Sequence, residues 1–304
     1  MTRTALPPWA HFAYLDDVVA IPVGRGRRLL VACDSCAGIG DRAADVVAAS
    51  PYVVGRFTCR VPLLEVLALG GHPFLVVATL GVSPRPTGQA VLKGAREEAS
   101  LAGVPADNLL VSTEKNIPTA QTSAGITVLA WVDRSEMRFG RAQAGDTVVA
   151  VGKPKVGPEV GLHDPEIADI PTLRLAMRYH DTGDLIPVGS GGIAREAGRL
   201  ARRTGLRFSA ASWPLEAPVL PPGVPRDGRA GQHRQVNLDK SAGPATCFLV
   251  TVPPACLPAF LQHMGPSGRP CYPVGSLARP FPDASVPSLP GRGMSTQCQH
   301  KRYG

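Results

Sequence analysis

Five acidic residues in the first half of the chain have the types and positions that could bind a metal ion. Asp16, Asp17, Asp34 and Glu114 stand beside apolar segments, and Glu65 stands inside one. Carboxylates that converge from separate loops suit Mg²⁺, which prefers oxygen ligands and keeps phosphate oxygens in its coordination shell. Such an ion neutralises a nucleotide triphosphate during phosphoryl transfer. Taken singly, each loop acid is better explained as a cap, a turn residue or a solvated side chain, so the set carries the prediction.

Glu65 is the least easily explained of these acids. It lies in the segment VPLLEVLALGG, where nearly every neighbour is apolar. A carboxylate in such a place needs a partner, because burying a charge alone is costly. Arg56 or Arg60 could form a salt bridge with it, and a metal ion or the hydroxyls of a bound nucleotide are the alternatives.

Several common classes of site are absent from the sequence. There is no Walker A sequence, G-x-x-x-x-G-K-[ST], and neither of the protein-kinase motifs H-R-D and D-F-G occurs. Any ATP site must therefore use another scaffold. Cys33 and Cys36 form a C-x-x-C sequence, but no second pair stands at zinc-site spacing. A buried cysteine pair beside a strand end is favoured over a redox or metal site.

The elements that position these residues form two groups. Apolar runs and helical periodicity predict alternating strands and helices up to about residue 142, and a turn at Gly145 and Asp146 precedes a second group. Pro62 falls inside a predicted helix, so it predicts a kink or a restart there. We predict strands at 18–23, 28–33, 74–82, 109–112, 126–132, 147–152, 247–252 and 271–277, and helices at 54–69, 88–102, 171–180, 192–203 and 254–264.

This pattern indicates an α/β (α+β) protein of two domains. The first domain is expected at 1–142 and the second at 143–278, where residues 212–235 form a long loop rich in proline, glycine and arginine. Residues 279–304 contain four prolines and carry a net charge of +3, from four Lys/Arg and one Asp. Such a composition predicts a disordered basic tail.

Composition narrows the class of protein and its partners. The 304 residues are 44% hydrophobic, so a core can be buried, but the longest apolar stretch, FLVVATLGV, is too short to span a membrane. The N-terminus lacks the apolar region of a secretory signal, so we expect a cytoplasmic protein with no membrane partner. The net charge is +8, but aromatic residues do not interleave with the basic ones. This favours a phosphorylated small molecule over nucleic acid.

Five segments resemble a single enzyme superfamily. They are ACDSCAGIG at 32–40, VVGRFTCRVPLLEVLALGGHP at 53–73, STEKNIPTAQTSAGITVLAW at 112–131, DLIPVGSGGIAREA at 184–197 and LDKSAGPATCFLV at 238–250. In this order they resemble the superfamily of aminoimidazole ribonucleotide synthetase, thiamine-monophosphate kinase and selenophosphate synthetase, and within it most closely the α-ribazole kinases. The resemblance covers residues 10–278. It implies a two-domain PurM-like fold with a mixed sheet in the first domain.

The resemblance also implies roles for individual residues. Glu114 and Asp34 would be the catalytic residues, and ATP and Mg²⁺ would be the cofactors. The metal ligands would be Asp17, Asp34, Glu65 and Glu114. ATP would be bound by Asp16, Asp17, Asp34, Glu65, Ser112, Thr113, Ser190, Gly191 and Gly192.

One motif departs from the superfamily pattern. Thiamine-monophosphate kinases carry Ser-Asp-Gly-Leu where this chain has Ser190, Gly191, Gly192 and Ile193, so the acid of that motif is missing. The backbone N–H groups at the start of the following helix could still bind an anion. A plain N-cap turn explains the segment equally well.

The function that the resemblance implies is an ATP-dependent kinase. It would transfer the γ-phosphate of ATP in line to the 5′-hydroxyl of α-ribazole, a nucleoside used for the lower loop of cobalamin. Superfamily members pair their first domains, so a homodimer with the ATP site in a groove is implied. The alternatives are another ATP-dependent reaction of the superfamily, like that of thiamine-monophosphate kinase or of the ring-closing synthetase, or a non-catalytic nucleotide-binding protein.

Overall fold

The computed structural model describes residues 12–24, 26–211 and 236–280. Their secondary structure has the order that the sequence pattern predicts, with additional short strands. The helices are α1 Pro51–Ala68, α2 Gln89–Leu101, α3 Ile170–Arg178, α4 Gly192–Arg202 and α5 Leu257–Met264. The strands are β1 Ala13–Leu15, β2 Val18–Pro22, β3 Arg27–Ala37, β4 Ile39–Gly40, β5 Val47–Ala48, β6 His72–Leu80, β7 Leu109–Thr113, β8 Ser123–Asp133, β9 Thr147–Gly152, β10 Leu185–Pro187, β11 Arg207–Ala210, β12 Cys247–Val252 and β13 Cys271–Ala278.

A six-stranded mixed sheet organises the first half of the chain. Its strand order is β1-β2-β3-β8-β6-β7, and all neighbours are antiparallel except β6 and β7. Side chains alternate between the two faces of a sheet. Leu30 and Ala32 of β3 are buried on one face, opposite Ala130 and Val128 of β8. Asp34 continues this row, so the strand directs its side chain toward the buried face.

Helix α1 covers that buried face. Its start is fixed by Ser50, whose Oγ accepts a hydrogen bond from the Val53 N–H at 3.3 Å, and by Pro51, which suits a first turn because it lacks an N–H. Pro62 lies inside the helix without ending it, so the predicted restart is wrong. We attribute this to burial, because apolar packing on several sides outweighs the one backbone hydrogen bond that proline removes.

Glycines let α1 and α2 pack with their backbones in contact. A Cβ atom on Gly55 would lie 1.9 Å from the Val91 carbonyl oxygen, and one on Gly94 would lie 2.0 Å from the Tyr52 carbonyl oxygen. No side chain fits at those distances. The close approach places charged residues of the two helices side by side.

An arginine–glutamate triad ties α1 to α2. Glu98 is completely buried and accepts hydrogen bonds from Arg56 Nε at 2.6 Å and from Arg60 Nε at 2.7 Å. Arg60 Nη1 also donates to the Ala168 carbonyl at 3.4 Å, which belongs to the second half of the chain. The buried charges are therefore compensated within the triad.

The second half of the chain is built on a five-stranded antiparallel sheet. Its strand order is β10-β12-β9-β13-β11. Strands β9 and β12 have both faces covered: Val148 and Leu249 pack in the core that includes α4, whereas Val149 and Val250 pack in the core that includes α1. This explains why both strands are continuous apolar runs rather than alternating ones.

Helix α1 belongs to the cores of both halves. Leu64 and Ala68 of α1 share one continuous core with Val128 of the first sheet and with Val149 and Val250 of the second. The helix also contacts β10 and α3. The two sheets therefore meet at this helix, and the boundary predicted near residue 143 falls between them without separating their cores. The division into domains stays a prediction.

The sequence pattern gives some boundaries correctly and misses the shortest elements. Strands β9 and β12 have the predicted bounds, while β1, β4, β5, β10 and β11, each two to four residues long, are not predicted. Short segments carry too few residues for a period of two to be recognised. The predicted loop at 212–235 and residues 281–304 of the predicted tail lie outside the described residues.

The C-x-x-C sequence does not form a pair. Cys33 and Cys36 both lie on β3, three residues apart, so they point to opposite faces of the sheet. Cys33 is exposed and Cys36 is half-buried, and both are free thiols. The predicted buried pair is therefore wrong. In the described ranges, no helix combines the length and apolar character needed to cross a membrane.

Candidate functional site

The turn between β1 and β2 carries the two acids nearest the N-terminus. Asp16 adopts the left-handed conformation, with φ of 58°, which aspartate tolerates better than most residues. This turn brings Asp16 and Asp17 against helix α4 of the second half. Asp17 accepts hydrogen bonds from Arg199 Nη1 and Nη2, both at 2.8 Å. The hydrogen bonds from Arg199 lower the pKa of Asp17, so this carboxylate is charged at neutral pH.

Asp16 is held by a second arginine, at the end of the same helix. Arg203 donates to Asp16 Oδ2 through Nη2 at 2.6 Å and through Nε at 2.9 Å. Its Nη1 lies 3.2 Å from Oδ1 of Asp184, which is completely buried. Asp184 also accepts the backbone N–H groups of residues 140–142, each at 2.9 Å. Asp184 thus holds the segment that joins the two halves, and Arg203 links that segment to the β1–β2 turn.

Glu65 lies beside this turn, in a small pocket where the two sheets meet. Its Oε2 atom is buried and has no hydrogen-bond partner among the described residues. The pKa of Glu65 is raised to about 9, chiefly by burial and also by the nearby carboxylates of Asp17 and Asp34, against the opposing effect of Arg199. The residues lining the pocket are Leu15, Asp16, Asp17, Val18, Glu65, Ala68, Leu69, Leu185, Ile186, Pro187 and Arg203.

The partners suggested for Glu65 from the sequence are wrong. Arg56 and Arg60 both bind Glu98 instead, because Glu98 faces them from α2 across the close helix contact. The positive charge that acts on Glu65 is that of Arg199 on α4, which lowers the pKa of Glu65. Glu65 is therefore an acid with one buried carboxyl oxygen and no dedicated ion-pair partner in the described part of the chain.

Asp34 completes the group. It is half-buried near the end of β3, and burial raises its pKa, partly opposed by the backbone N–H of Ser35. Asp34 acts electrostatically on Glu65, as do Asp17, Glu196 and Arg199. We call these five residues the junction cluster: Asp17, Asp34, Glu65, Glu196 and Arg199. Burial raises the pKa values of Asp34, Glu65 and Glu196, so three of the four carboxyl groups lie where the protein disfavours their charge.

Glu114 stands apart from the junction cluster. It follows β7 in a turn, where its Oε1 accepts the N–H groups of Asn116 at 2.7 Å and Ile117 at 3.0 Å. These hydrogen bonds lower its pKa. Strand β7 lies three strands from β3, about 14 Å across a flat sheet. Ser112 and Thr113 end the same strand, and Ser112 is exposed. The structure therefore does not bring these three residues to Asp34.

The glycine turn before α4 uses some of its own N–H groups. Gly192 N–H donates to the Gly189 carbonyl at 3.2 Å, and Ala194 N–H donates to the Leu238 carbonyl at 2.9 Å. Gly192 has a φ of 75°, and a Cβ there would lie 2.7 Å from the Leu238 oxygen, so glycine is required. Ser190 is exposed and Gly191 is the helix N-cap. The role of Ser190, Gly191 and Gly192 in binding ATP stays a prediction.

The donor chemistry of the junction cluster suits Mg²⁺ in part. Asp34 and Glu65 offer carboxylate oxygens, one of them unpartnered among the described residues, and hard cations prefer such ligands. Asp17 is engaged by Arg199, and Glu114 is engaged by its own turn. In the described part of the chain, no three His, Cys, Asp or Glu side chains are placed to hold one metal ion. Asp34 and Glu65 are thus the residues best able to hold a cation.

Sequence reasoning missed the side of this site that the second half of the chain contributes. The residues Arg199, Arg203, Asp184 and Glu196 were not selected from the sequence. The two arginines hold the β1–β2 turn, and Asp184 holds the inter-sheet segment. A signal was present in GIAREAGRLARR, where Arg195, Arg199 and Arg203 recur every four residues and so share one helix face.

Comparisons with known proteins place the fold. A search of protein-family models finds no match. The structure aligns with thiamine-monophosphate kinase from Stenotrophomonas maltophilia with a TM-score of 0.55, at 16% identity, over 88% of this chain and 89% of that one. It aligns with the hydrogenase maturation protein HypE in complex with ATP with a TM-score of 0.57, at 15% identity, over 90% of this chain and 82% of that one. This chain has the PurM-like fold.

The PurM-like fold is accompanied by a shorter sequence similarity. Over 109 residues the chain is 33% identical to selenide, water dikinase of Burkholderia orbicola. This alignment covers 34% of the chain and 29% of the dikinase, so the chain matches under a third of its relative's length. The fold class predicted from the sequence is confirmed, including the mixed first sheet.

Proposed function

We propose that this protein is an ATP-dependent phosphotransferase whose site lies at the junction cluster. The observation that carries the proposal is the buried Oε2 of Glu65, which has no partner among the described residues and lies under the influence of Asp17 and Asp34. Carboxyl oxygens at the meeting point of two sheets suit a hard cation that accompanies a triphosphate. The fold shared with ATP-complexed HypE and the similarity to a dikinase support the same activity.

The residues of the site would have different roles according to where they lie. Asp34 and Glu65 would hold Mg²⁺, which when bound neutralises phosphate charge. Asp16 and Arg203 fix the β1–β2 turn, so that Asp17 faces the same pocket. Positioning and charge neutralisation account for catalysis in this class of reaction, without a covalent intermediate.

We propose α-ribazole as the acceptor, through its 5′-hydroxyl. The support is the order and the amino-acid sequence of the five segments that resemble the α-ribazole kinases. A second candidate is a reaction like that of the dikinase, favoured by the 33% identity over 109 residues. The two differ in acceptor and can be separated directly.

The deciding experiment follows ATP consumption by the full-length protein with Mg²⁺ and measures ADP and AMP separately, because a kinase releases ADP and a water dikinase releases AMP. We expect α-ribazole to stimulate ADP formation well above the rate without acceptor, and ATP to stabilise the protein thermally only when Mg²⁺ is present. Stimulation by selenide or by thiamine monophosphate instead would overturn the named acceptor. ATP binding without stimulation by any of the three would indicate a non-catalytic nucleotide-binding protein.

Glu114→Gln tests whether the separate acid takes part. If the proposed catalytic role is correct, the variant should lose turnover by about tenfold or more, because it retains shape and loses charge. The measurement is ADP formation at saturating ATP, with thermal unfolding to show that the fold is kept. Turnover equal to that of wild type would show that Glu114 only stabilises the turn in which it lies and takes no part in catalysis.

We also propose that two copies pair through the outer face of the first sheet. In register across β2, β3, β8 and β6, that face presents Val19, Val31, Leu129 and Leu75. Tyr14, Leu110 and Trp131 lie on the same face with exposed fractions of 72%, 62% and 40%. A contiguous apolar face that is exposed in one chain is typical of a protein–protein interface, and a second copy of the chain could bury it.

The pairing is tested by mass in solution. We expect wild type to elute at twice its chain mass of 31.9 kDa, and Val31→Glu to elute as a monomer, because a charge at the centre of the face cannot be buried. Leu101→Glu, at an exposed apolar residue of α2 outside this face, should remain dimeric. Light scattering coupled to size exclusion measures all three, and a monomeric wild type would contradict the pairing.

A further inference from the structure

Three arginines recur every four residues along α4, and they differ in their partners. Arg199 donates to Asp17, and Arg203 donates to Asp16. Arg195 lies on the same face, one turn nearer the start of the helix, and it is exposed. Its guanidinium has no hydrogen-bond or ion-pair partner within the described ranges. One cation of this row is therefore available to a ligand.

The side chain of Arg195 lies across Gly191, in the turn that precedes α4. A Cβ atom at Gly191 would overlap Cδ of Arg195 and would lie 3.1 Å from its Nε, so any side chain there would push the arginine aside. The φ of Gly191 is −81°, outside the left-handed region that favours glycine. Gly192 differs, because its φ of 75° does require glycine. Glycine at position 191 is therefore explained by the Arg195 side chain and not by the backbone.

Arg195 stands beside the pocket where the two sheets meet. Its neighbour on the helix face, Arg199, reaches Asp17 at 2.8 Å, and Asp17 lines that pocket. The pKa of Asp17 is lowered first by the hydrogen bonds from Arg199 and also by the charge of Arg195, so the second guanidinium lies within electrostatic reach of the pocket. Arg199 already compensates the Asp17 carboxylate. A phosphate group bound there would meet the planar donors of Arg195, which match phosphate oxygens.

The departure from the superfamily motif acquires a physical reason at this position. Thiamine-monophosphate kinases carry Ser-Asp-Gly-Leu where this chain has Ser190, Gly191, Gly192 and Ile193. An aspartate side chain at position 191 would take the space in which Arg195 lies. The chain therefore has a cation at this point of the turn where the motif has an acid.

We propose that Arg195 binds a phosphate group of ATP, and that Gly191 leaves the room its side chain needs to do so. The inference rests on the proposed function, because the phosphates are those of the ATP that the enzyme consumes. It adds a direct phosphate contact from the second half of the chain to a site whose acids come from the first half. The contact is a charge-assisted hydrogen bond and does not depend on a metal ion.

The experiment measures binding of ATP with Mg²⁺ to the full-length protein by isothermal titration calorimetry. We expect Arg195→Gln to weaken binding by about tenfold or more, the effect of losing a hydrogen bond to a charged group. Gly191→Ala retains the arginine but displaces it, so it should weaken binding nearly as much. Inorganic tripolyphosphate, added as a competitor of ATP, should lose affinity for Arg195→Gln by a similar factor. Arg202→Gln removes the same charge about 10 Å further along α4 and should match wild type.

The double variant Gly191→Ala, Arg195→Gln separates the phosphate contact from a general change in the turn. In the Arg195→Gln background, Gly191→Ala displaces no guanidinium, so it should have little further effect on ATP binding. The two losses should therefore not add, as expected for residues that act through one contact. Thermal unfolding of each variant checks that the fold is kept.

Several outcomes would overturn the role of Arg195. ATP affinity of Arg195→Gln equal to that of wild type contradicts it, and so do additive losses in the double variant. Competition by tripolyphosphate that is the same for Arg195→Gln and wild type shows that the contact is not with phosphate. If Arg195→Gln fails to fold, unchanged ATP affinity of Gly191→Ala contradicts it instead. Failure of the proposed function is seen separately, as ATP binding by wild type without formation of ADP or AMP, and a wild type that binds no ATP contradicts both.

Discussion

Replacing Glu65 with glutamine should lower ADP formation by about a hundredfold while leaving the protein folded. The substitution keeps the size of the side chain and removes the carboxylate that the proposed cation site depends on. A loss of this order is typical when one preorganised polar group at a reacting centre is removed. The measurement is turnover at saturating ATP and Mg²⁺.

The same variant should be more stable than wild type, and the difference should grow with pH. The folded protein raises the pKa of Glu65 from 4.5 to about 9, so folding favours the protonated carboxyl. That stabilisation is complete below pH 4.5 and is lost as pH rises through about 9. Glutamine cannot ionise, so Glu65→Gln avoids the loss, which is worth about 1.4 kcal/mol per pH unit at most.

Urea unfolding in EDTA between pH 5 and 8 measures this difference without bound metal. Glu136→Gln, at an exposed glutamate of the first half, serves as the control and should leave both turnover and stability near wild type. A Glu65→Gln protein that is active, or one that is less stable than wild type at pH 8, would contradict the role given to this residue.

Replacing Glu98 with glutamine should destabilise the protein by about 3–5 kcal/mol. The substitution leaves Arg56 and Arg60 without their buried countercharge, and the Arg60 side chain is only 3% exposed. Breaking a buried ion pair from one side costs this much because the remaining charge stays desolvated. Denaturant unfolding at pH 7 gives the free energy of unfolding.

The neighbouring glutamate supplies a matched control. Glu97 is 46% exposed and lies 3.6 Å from Arg56 Nη1, so Glu97→Gln should cost no more than about 1 kcal/mol. Equal losses for the two variants would show that burial of Glu98 does not set its contribution.

The sequence singled out Asp17, Asp34 and Glu65 but not Glu196, and it did not indicate their partners. Glu65 attracted attention because a glutamate among apolar residues is costly, and the described structure does leave it without an ion-pair partner. Its suggested partners Arg56 and Arg60 were wrong, since the choice depends on which helix packs against α1. A one-dimensional pattern shows that α1 and α2 exist but does not show that Glu98 faces the two arginines.

The long-range contacts could not be predicted from the sequence for the same reason. Asp17 and Arg199 are separated by 182 positions in the chain, and neither has a local pattern that indicates the other. Asp184 similarly has its partners at residues 140–142, with β9 and α3 between them in the chain. Strands β9 and β12 could be predicted because burial on both faces leaves a continuous apolar run, which is a local signal.

The position of α1 has a consequence for biosynthesis. The ribosome completes this helix about 80 residues before Val149 and about 180 before Val250, which cover one side of it in the finished protein. The nascent chain therefore exposes an apolar helix surface until the second sheet has been synthesised. A chaperone that shields apolar segments during translation would find its binding site there.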